Sequence, residues 1–295
     1  MEDKKRVIAL GFFDGVHLGH AALLRRVAET AARLGAVPAA FTFDKNPAAA
    51  ITGRAVPLLS SVEDRTALME RLYGIQELLV ASFDVMQHMD WRDFVRSYLV
   101  KECGAVHLVA GHDFHFGYKG EGDPRRLESL CAELGLGCDI IPKVELDGIT
   151  VSSTYIRALL AQGELEQANR FLGHPYCFSG VAAQGRDLGL PAVELPFPAG
   201  VMAPVSGAYA ARACFDGQSV MAVAGVGAPP AVDGSGRADA EVFLPDFHGD
   251  LYGRTVRLEF YKYLRPEWRF PTPEALRGEV MRSAEQTRQF FKEAR

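Results

Sequence analysis

The chain of 295 residues is long enough for two domains of ordinary size. With 48% hydrophobic and 23% charged residues it has a globular composition, neither disordered nor fibrous. A formal net charge of -5 supplies no basic field, which argues against a broad nucleic-acid surface but leaves room for a small polyanion held by local amides, His and Arg.

The opening MEDKKRVIALGFFDG is apolar for only a few residues before a glycine turn, far short of a signal core or membrane span. A cytoplasmic protein without a membrane partner is therefore expected. The cysteines, Cys103, Cys131, Cys138, Cys177 and Cys214, are odd in number and form no CxxC pair, so they read as reduced thiols.

From residue 6 to about residue 172 short apolar runs alternate with longer amphipathic segments, the pattern of a parallel sheet with covering helices. The expected strands are Val7–Leu10, Val37–Phe43, Leu78–Phe83, Val106–Ala110 and Cys138–Ile141. The expected helices are His20–Leu34, Val62–Leu72, Trp91–Cys103, Pro124–Leu134 and Thr154–Leu160. Ser61 with Asp64 and Asp90 with Asp93 resemble capping boxes, and a glycine follows each of the first three helices. This half reads as a doubly wound α/β domain.

After Gly173, glycine and proline become frequent, and Tyr209–Phe215, Ser219–Val223, Ala240–Leu244 and Thr255–Tyr261 favour short strands. A helix from about Pro273 to Lys292 closes the chain. An antiparallel β-barrel with a C-terminal helix is expected here, with domains of residues 1–173 and 174–295.

Chemistry concentrates in Gly11-Phe12-Phe13-Asp14-Gly15-Val16-His17-Leu18-Gly19-His20, between the first strand and the first helix. Ligands of open α/β sheets collect outside the carboxyl ends of strands, and a helix N-terminus offers unpaired N–H groups to phosphate. Glycines let the backbone approach closely. His17 and His20, three residues apart, can both address one phosphate and stabilise charge developing at an attacked α-phosphorus. Ser152, Ser153 and Thr154, followed one turn later by Arg157, suit the terminal phosphates of a nucleotide; the same hydroxyls also fit an ordinary N-cap.

These motifs resemble the HxGH nucleotidyltransferase superfamily with its SSTxxR signature. Across nearly the whole chain the sequence resembles the prokaryotic bifunctional riboflavin kinase and FMN adenylyltransferase family, also called FAD synthetase. The likeness is carried by GFFDGVHLGH, FTFDKNP at 41–47, AGHDFHFG at 110–117, VSSTYIR at 151–157 and FLGHPY at 171–176. It continues through GRDLGLP at 185–191, PVSGAYA at 204–210 and DFHGDLYGR at 246–254. The resemblance implies that Gly11, Phe12, Phe13, Asp14, Gly15, His17, Gly19 and His20 line an ATP site, with His17, His20 and Arg157 catalytic. It further implies that Ser152, Ser153, Thr154 and Arg157 hold the β- and γ-phosphates, and that Asp113 contacts adenosine or Mg²⁺. ATP and FMN would be the substrates and Mg²⁺ the cofactor. Asn46-Pro47 stands where many relatives have His-Pro. A transition-metal site at His112-Asp113-Phe114-His115 is set aside, because the flanking glycines and phenylalanines fit the family's loop without one.

The second half departs from the family pattern. Where a GFPTAN segment is expected to hold MgATP, the chain reads Gly189-Leu190-Pro191-Ala192-Val193-Glu194, and the NIGxxPT segment reads Gly225-Val226-Gly227-Ala228-Pro229-Pro230-Ala231. A carboxylate at 194 repels a phosphate charge about 4 Å away by ~4 kcal/mol at an effective dielectric near 20, unless a metal offsets it. Glu241 keeps the position of the family's catalytic base, or is simply a polar strand position. The expectation is FMN adenylyl transfer with a lost or weak riboflavin kinase and Glu194 and Glu241 as its relic site. The alternatives are a fully bifunctional enzyme, a non-catalytic flavin-binding regulator, and a different acceptor such as pantetheine or nicotinamide mononucleotide.

Overall fold

A computed structural model describes residues 4–185, 192–227, 238–266 and 272–293. By compactness the chain divides into two units, Met1–Val56 with Val62–Ser152, and Pro57–Ser61 with Ser153–Arg295.

In the first unit β1 (Arg6–Leu10) leads through a short turn into α1 (Leu18–Leu34), followed by β2 (Val37–Phe43), α2 (Pro47–Thr52), α3 (Val62–Tyr73) and β3 (Glu77–Ala81). Then come α4 (Phe83–Met86), α5 (Trp91–Asp93) running on as a π-helix over Phe94–Glu102, β4 (Ala105–Gly111), α6 (Pro124–Leu134), β5 (Gly137–Ile141), and the small hairpin of β6 (Glu145–Leu146) and β7 (Ile149–Thr150). The sheet is parallel in the order β3-β2-β1-β4-β5. The chain winds outward from β1 to β3 and then crosses back to β4, so the switch point lies between β1 and β4. The loop after β1 opens there.

Val7 to Leu10, Ala39 to Phe41 and Leu108 to Ala110 are continuously buried, as strands covered on both faces must be. One core cluster gathers Ile8, Leu10, Phe41, Phe94, Leu99, Leu108 and Leu127. Helix α1 buries Ala21, Leu24, Val27 and Ala31 and stops at Gly35, whose N–H bonds back to Ala31 O. The strand expected at Leu78–Phe83 ends at Ala81, because the Phe83 N–H is taken by the Asp44 carboxylate at 2.9 Å and Phe83 opens α4. The helix expected over Trp91–Cys103 is present but widens: the Cys103 N–H bonds to Tyr98 O, five residues back, at 2.9 Å.

The second unit holds α7 (Ser153–Gln162), α8 (Leu165–Leu172), β8 (Tyr176–Val181), β9 (Ala183–Gln184), β10 (Ala192–Pro196), β11 (Gly207–Phe215), β12 (Gln218–Val226), β13 (Asp239–Phe243), β14 (Thr255–Pro266) and α9 (Pro273–Glu293). Its sheet is antiparallel in the order β8-β14-β11-β12-β13-β10-β9. The sheet curls until β8 meets β10, where a Cβ on Gly180 would stand 3.1 Å from Pro196 O. Helix α9 lays Leu276, Val280 and Ala284 on Ala192, Val223 and Phe243, so it docks on its own barrel.

The division expected at residues 173 and 174 assigns α7 and α8 to the first domain, whereas compactness groups them with the barrel. Asn169 of α8 supplies the reason: its side chain donates to Phe260 O at 2.8 Å and accepts from Tyr176 N at 2.7 Å, tying α8 to β14 and β8. Of the kinase-like segments, Gly189 to Pro191 and Ala228 to Ala231 lie outside the described residues.

Candidate active site

The ladder of β1 extends one residue beyond Leu10, where the Gly11 N–H bonds to Phe41 O at 3.2 Å. The chain then tightens. Phe13 (φ 57°), Gly15 (φ 77°) and Val16 (φ 46°) all take left-handed backbone within four residues. For a β-branched residue this is strained, and Val16 is fully buried, so the surroundings hold it there. The turn delivers His17 in extended conformation as the N-cap of α1, its Nδ1 accepting from the His20 N–H at 3.3 Å. In the neutral imidazole the proton is then on Nε2.

One turn into α1, His20 stacks on His17 with ring centroids 3.6 Å apart and 13° between planes, while Phe13 meets it edge-on at 5.2 Å. Gly19 makes the stack possible: a Cβ there would stand 3.1 Å from the His17 ring. Burial holds the His20 imidazole well below its ordinary pKa, and His17 and the Arg65 cation push the same way, so His20 is neutral near pH 7. Its Nδ1 is buried without a hydrogen-bond partner. The N-terminus of α1 and two stacked imidazoles thus lie at the switch point of the sheet, an arrangement suited to an anion whose charge grows during reaction.

Behind the loop lies a residue that sequence reading missed. Arg65 of α3 is only 1% exposed; its Nη1 donates to Phe12 O at 2.7 Å and reaches Thr42 Oγ1 at 3.4 Å, and its guanidinium lies 4.4 Å from the Phe12 ring centroid. Thr42 Oγ1 donates to the same carbonyl at 2.9 Å. Burial lowers the Arg65 pKa and neighbouring Asp14, itself buried, opposes that. The signal was available: in VEDRTALMERLY, Arg65 occupies the position three and four residues before Leu68 and Met69, on the apolar face of the helix.

The second motif is divided between the units. Val151 belongs to the first unit, and its carbonyl lies 3.8 Å from where a Gly19 Cβ would be, so the approach to Ser152 runs beside the start of α1. Ser153, Thr154 and Arg157 begin α7 of the second unit, where Arg157 Nη2 donates to Thr154 Oγ1 at 3.4 Å. Asp113, in the loop after β4, has 82% of its side chain exposed, with His112 Nδ1 3.9 Å from its carboxylate. Among the described residues no group of three or more His, Cys, Asp or Glu could hold a metal ion. Asn46 is the N-cap of α2, its Oδ1 accepting from the N–H groups of Ala48 and Ala49, with Pro47 in the first turn.

In the second unit Glu194 of β10 is the direct cross-strand partner of Glu241 of β13, two carboxylates on adjacent strands. A pocket of about 120 Å³ in this unit is lined by Ala192, Val193, Leu244, Phe247, Asp250 and Tyr252 among others. Ala192, among its lining residues, stands where the family pattern has a threonine.

The FAD synthetase family model matches residues 1–155 and the riboflavin kinase family model residues 172–291. The chain is 32% identical to the bifunctional riboflavin kinase/FMN adenylyltransferase of Listeria monocytogenes serovar 1/2a over 98% of this chain and 93% of that protein. It is 36% identical to the protein of the same name from Pseudomonas fluorescens, over 95% of this chain and 91% of that one. Among solved structures it is similar to one described as a macrolide-efflux protein from Streptococcus pneumoniae, with 26% identity, a TM-score of 0.80 and coverage of 97% of this chain and 94% of that one. Among the described residues no helix is long and apolar enough to cross a membrane. The two matched models and the near-full-length relatives agree on one assignment: the chain belongs to the bifunctional riboflavin kinase/FMN adenylyltransferase family.

Proposed function

We propose that the protein transfers AMP from ATP to FMN, giving FAD and pyrophosphate, through a domain of residues 1–173, and that residues 174–295 form a kinase module with little or no activity of its own. A phosphate oxygen of FMN forms a bond to the α-phosphorus of ATP as the bond from that phosphorus to the bridging oxygen breaks, and pyrophosphate leaves with the electron pair. No covalent enzyme intermediate is needed. The stacked His17 and His20 at the head of α1 carry this reading. In it the His17 Nε2–H faces the reacting phosphate, neutral His20 adds a second polar group, and Gly11, Phe12, Phe13, Asp14, Gly15 and Gly19 shape the backbone around the triphosphate. Ser152, Ser153, Thr154 and Arg157 take the β- and γ-phosphates. Mg²⁺ normally binds through one or two carboxylates plus substrate phosphates, so the exposed Asp113 fits an ion that arrives with the nucleotide and neutralises oxygen charge. Cytoplasmic location goes with ATP as substrate.

The weak-kinase part rests on the second unit's chemistry. Residue 192 is an alanine, without the hydroxyl of the family pattern, and Glu194 sets a carboxylate opposite Glu241. Like charges directly opposite on adjacent strands are unfavourable and would be more so beside a phosphate. A second reading, a fully bifunctional enzyme with Glu194 as a magnesium ligand, is favoured by the riboflavin kinase match over residues 172–291 and by the bifunctional names of the relatives. A non-catalytic flavin sensor would have no use for the His pair.

The test supplies ATP and Mg²⁺ with FMN or with riboflavin and resolves the flavins by chromatography. FAD from FMN without FMN from riboflavin is expected. FMN formed from riboflavin at a rate comparable to FAD synthesis would establish the bifunctional reading instead.

A further inference from the structure

We propose that Arg65 is the positioning residue of the phosphate loop: buried behind Gly11–His17, it grips the carbonyl and ring of Phe12 and thereby sets where His17 and His20 stand. The inference rests on that loop being the ATP site.

A buried guanidinium on the apolar face of a helix is expensive, and a Leu or Met beside Leu68 and Met69 would fill the space without desolvating a charge. Its contacts give the reason for keeping it. The Phe12 carbonyl accepts from both Arg65 Nη1 at 2.7 Å and Thr42 Oγ1 at 2.9 Å, which fixes the peptide plane entering Phe13. Directly after that plane the backbone takes the left-handed conformations of Phe13, Gly15 and Val16. Such a sequence of strained residues persists only when neighbours over-determine it. The guanidinium over the Phe12 ring at 4.4 Å fixes the side chain as well, and Phe13 in turn packs edge-on against His20. From α3 to the imidazole stack the connection is therefore continuous. The charges bearing on this cluster are His17 and Arg65 acting on His20, and Asp14 and Glu63 acting on Arg65. The Arg65 cation thus has a second consequence, favouring the neutral form of His20.

The test uses the full chain carrying Arg65→Met or Arg65→Lys. It reads kcat and KM for ATP in FAD formation, the melting temperature, and the NMR titration of the His20 ring. Met removes charge and donor but suits an apolar site, so the fold is expected to survive. Arg65→Met should lower kcat/KM for ATP by on the order of ten- to a hundredfold, the usual effect of losing a hydrogen bond from a charged group. It should also raise the His20 titration midpoint. Arg65→Lys keeps a cation and one donor and should recover most of the rate and the low midpoint. If Arg65 only filled space, Arg65→Met would keep near-full activity and leave the His20 midpoint unmoved, and the proposal would be overturned. Should Arg65→Met not fold, Arg65→Gln takes its place with the same two expectations. A wild-type protein making no FAD would sink the ATP-site reading, and the His20 titration would then decide on Arg65 alone.

Discussion

Lowering the pH should destabilise the first unit through His20. This imidazole is partly buried, with its Nδ1 shut off from solvent, faces His17 and Arg65, and is held well below its ordinary pKa of 6.5. In the unfolded chain it takes up a proton as the pH falls through about 6.5; in the folded protein it does not. Because the unfolded state binds more protons, stability is intact above 6.5 and is lost below it. Between pH 7.5 and 5.5 the loss is about 1.4 kcal/mol, growing by about 1.4 kcal/mol for each further unit until the folded-state pKa is reached. Urea denaturation is followed by Trp91 in a Trp268→Phe background, so that the fluorescence reports on the first unit. The comparison protein carries His20→Gln, which removes this titration and leaves the others. The wild type should lose about 1.4 kcal/mol more than the variant over that interval. Parallel pH dependences, agreeing within about 0.3 kcal/mol, would refute the reasoning that the fold holds His20 in its neutral form.

His20→Ala should cut kcat for FAD formation by roughly 10²- to 10³-fold, the usual effect of removing one group that meets developing charge, with a native melting curve as the control. Gly19→Ala should separate stability from activity. The added methyl meets the His17 ring at 3.1 Å and should lower FAD formation about tenfold, while the melting temperature holds or rises because alanine favours helix by ~1 kcal/mol. Pairing Ala192→Thr with Glu194→Asn should raise riboflavin phosphorylation at least about tenfold, since it restores the hydroxyl and amide of the family pattern and removes a carboxylate from the position opposite Glu241. No gain in ADP formation with riboflavin would count against the charge argument.

The parts of the fold that sequence made legible are those with strong local signals. The buried runs Val7 to Leu10, Ala39 to Phe41 and Leu108 to Ala110 are apolar without interruption, and glycine follows α1 and α3 in backbone geometry that other residues adopt at a cost. The His17–His20 loop was legible because packing does not explain two histidines and three glycines crowded at a strand-to-helix junction. Features that depend on distant partners were not. Arg65 looks like one more charge in α3 until Phe12 and Thr42, 53 and 23 residues away, are brought to it. Glu194 and Glu241 were singled out separately, but only the register of β10 on β13 makes them neighbours. Helix α8 was absent from the expected elements, and its place with the barrel follows from Asn169 bonding to Phe260 across 91 residues. Asn46, where many relatives have histidine, caps a helix that the expected elements did not include.

The most direct measurement follows the phosphorus atoms. With ATP labelled at the α-phosphorus and unlabelled FMN, label should enter FAD with one pyrophosphate released per FAD formed; with ATP labelled at the γ-phosphorus, all label should leave in pyrophosphate. Label from the γ-position appearing in flavin, with ADP rather than pyrophosphate as the second product, would contradict adenylyl transfer as the reaction of this protein.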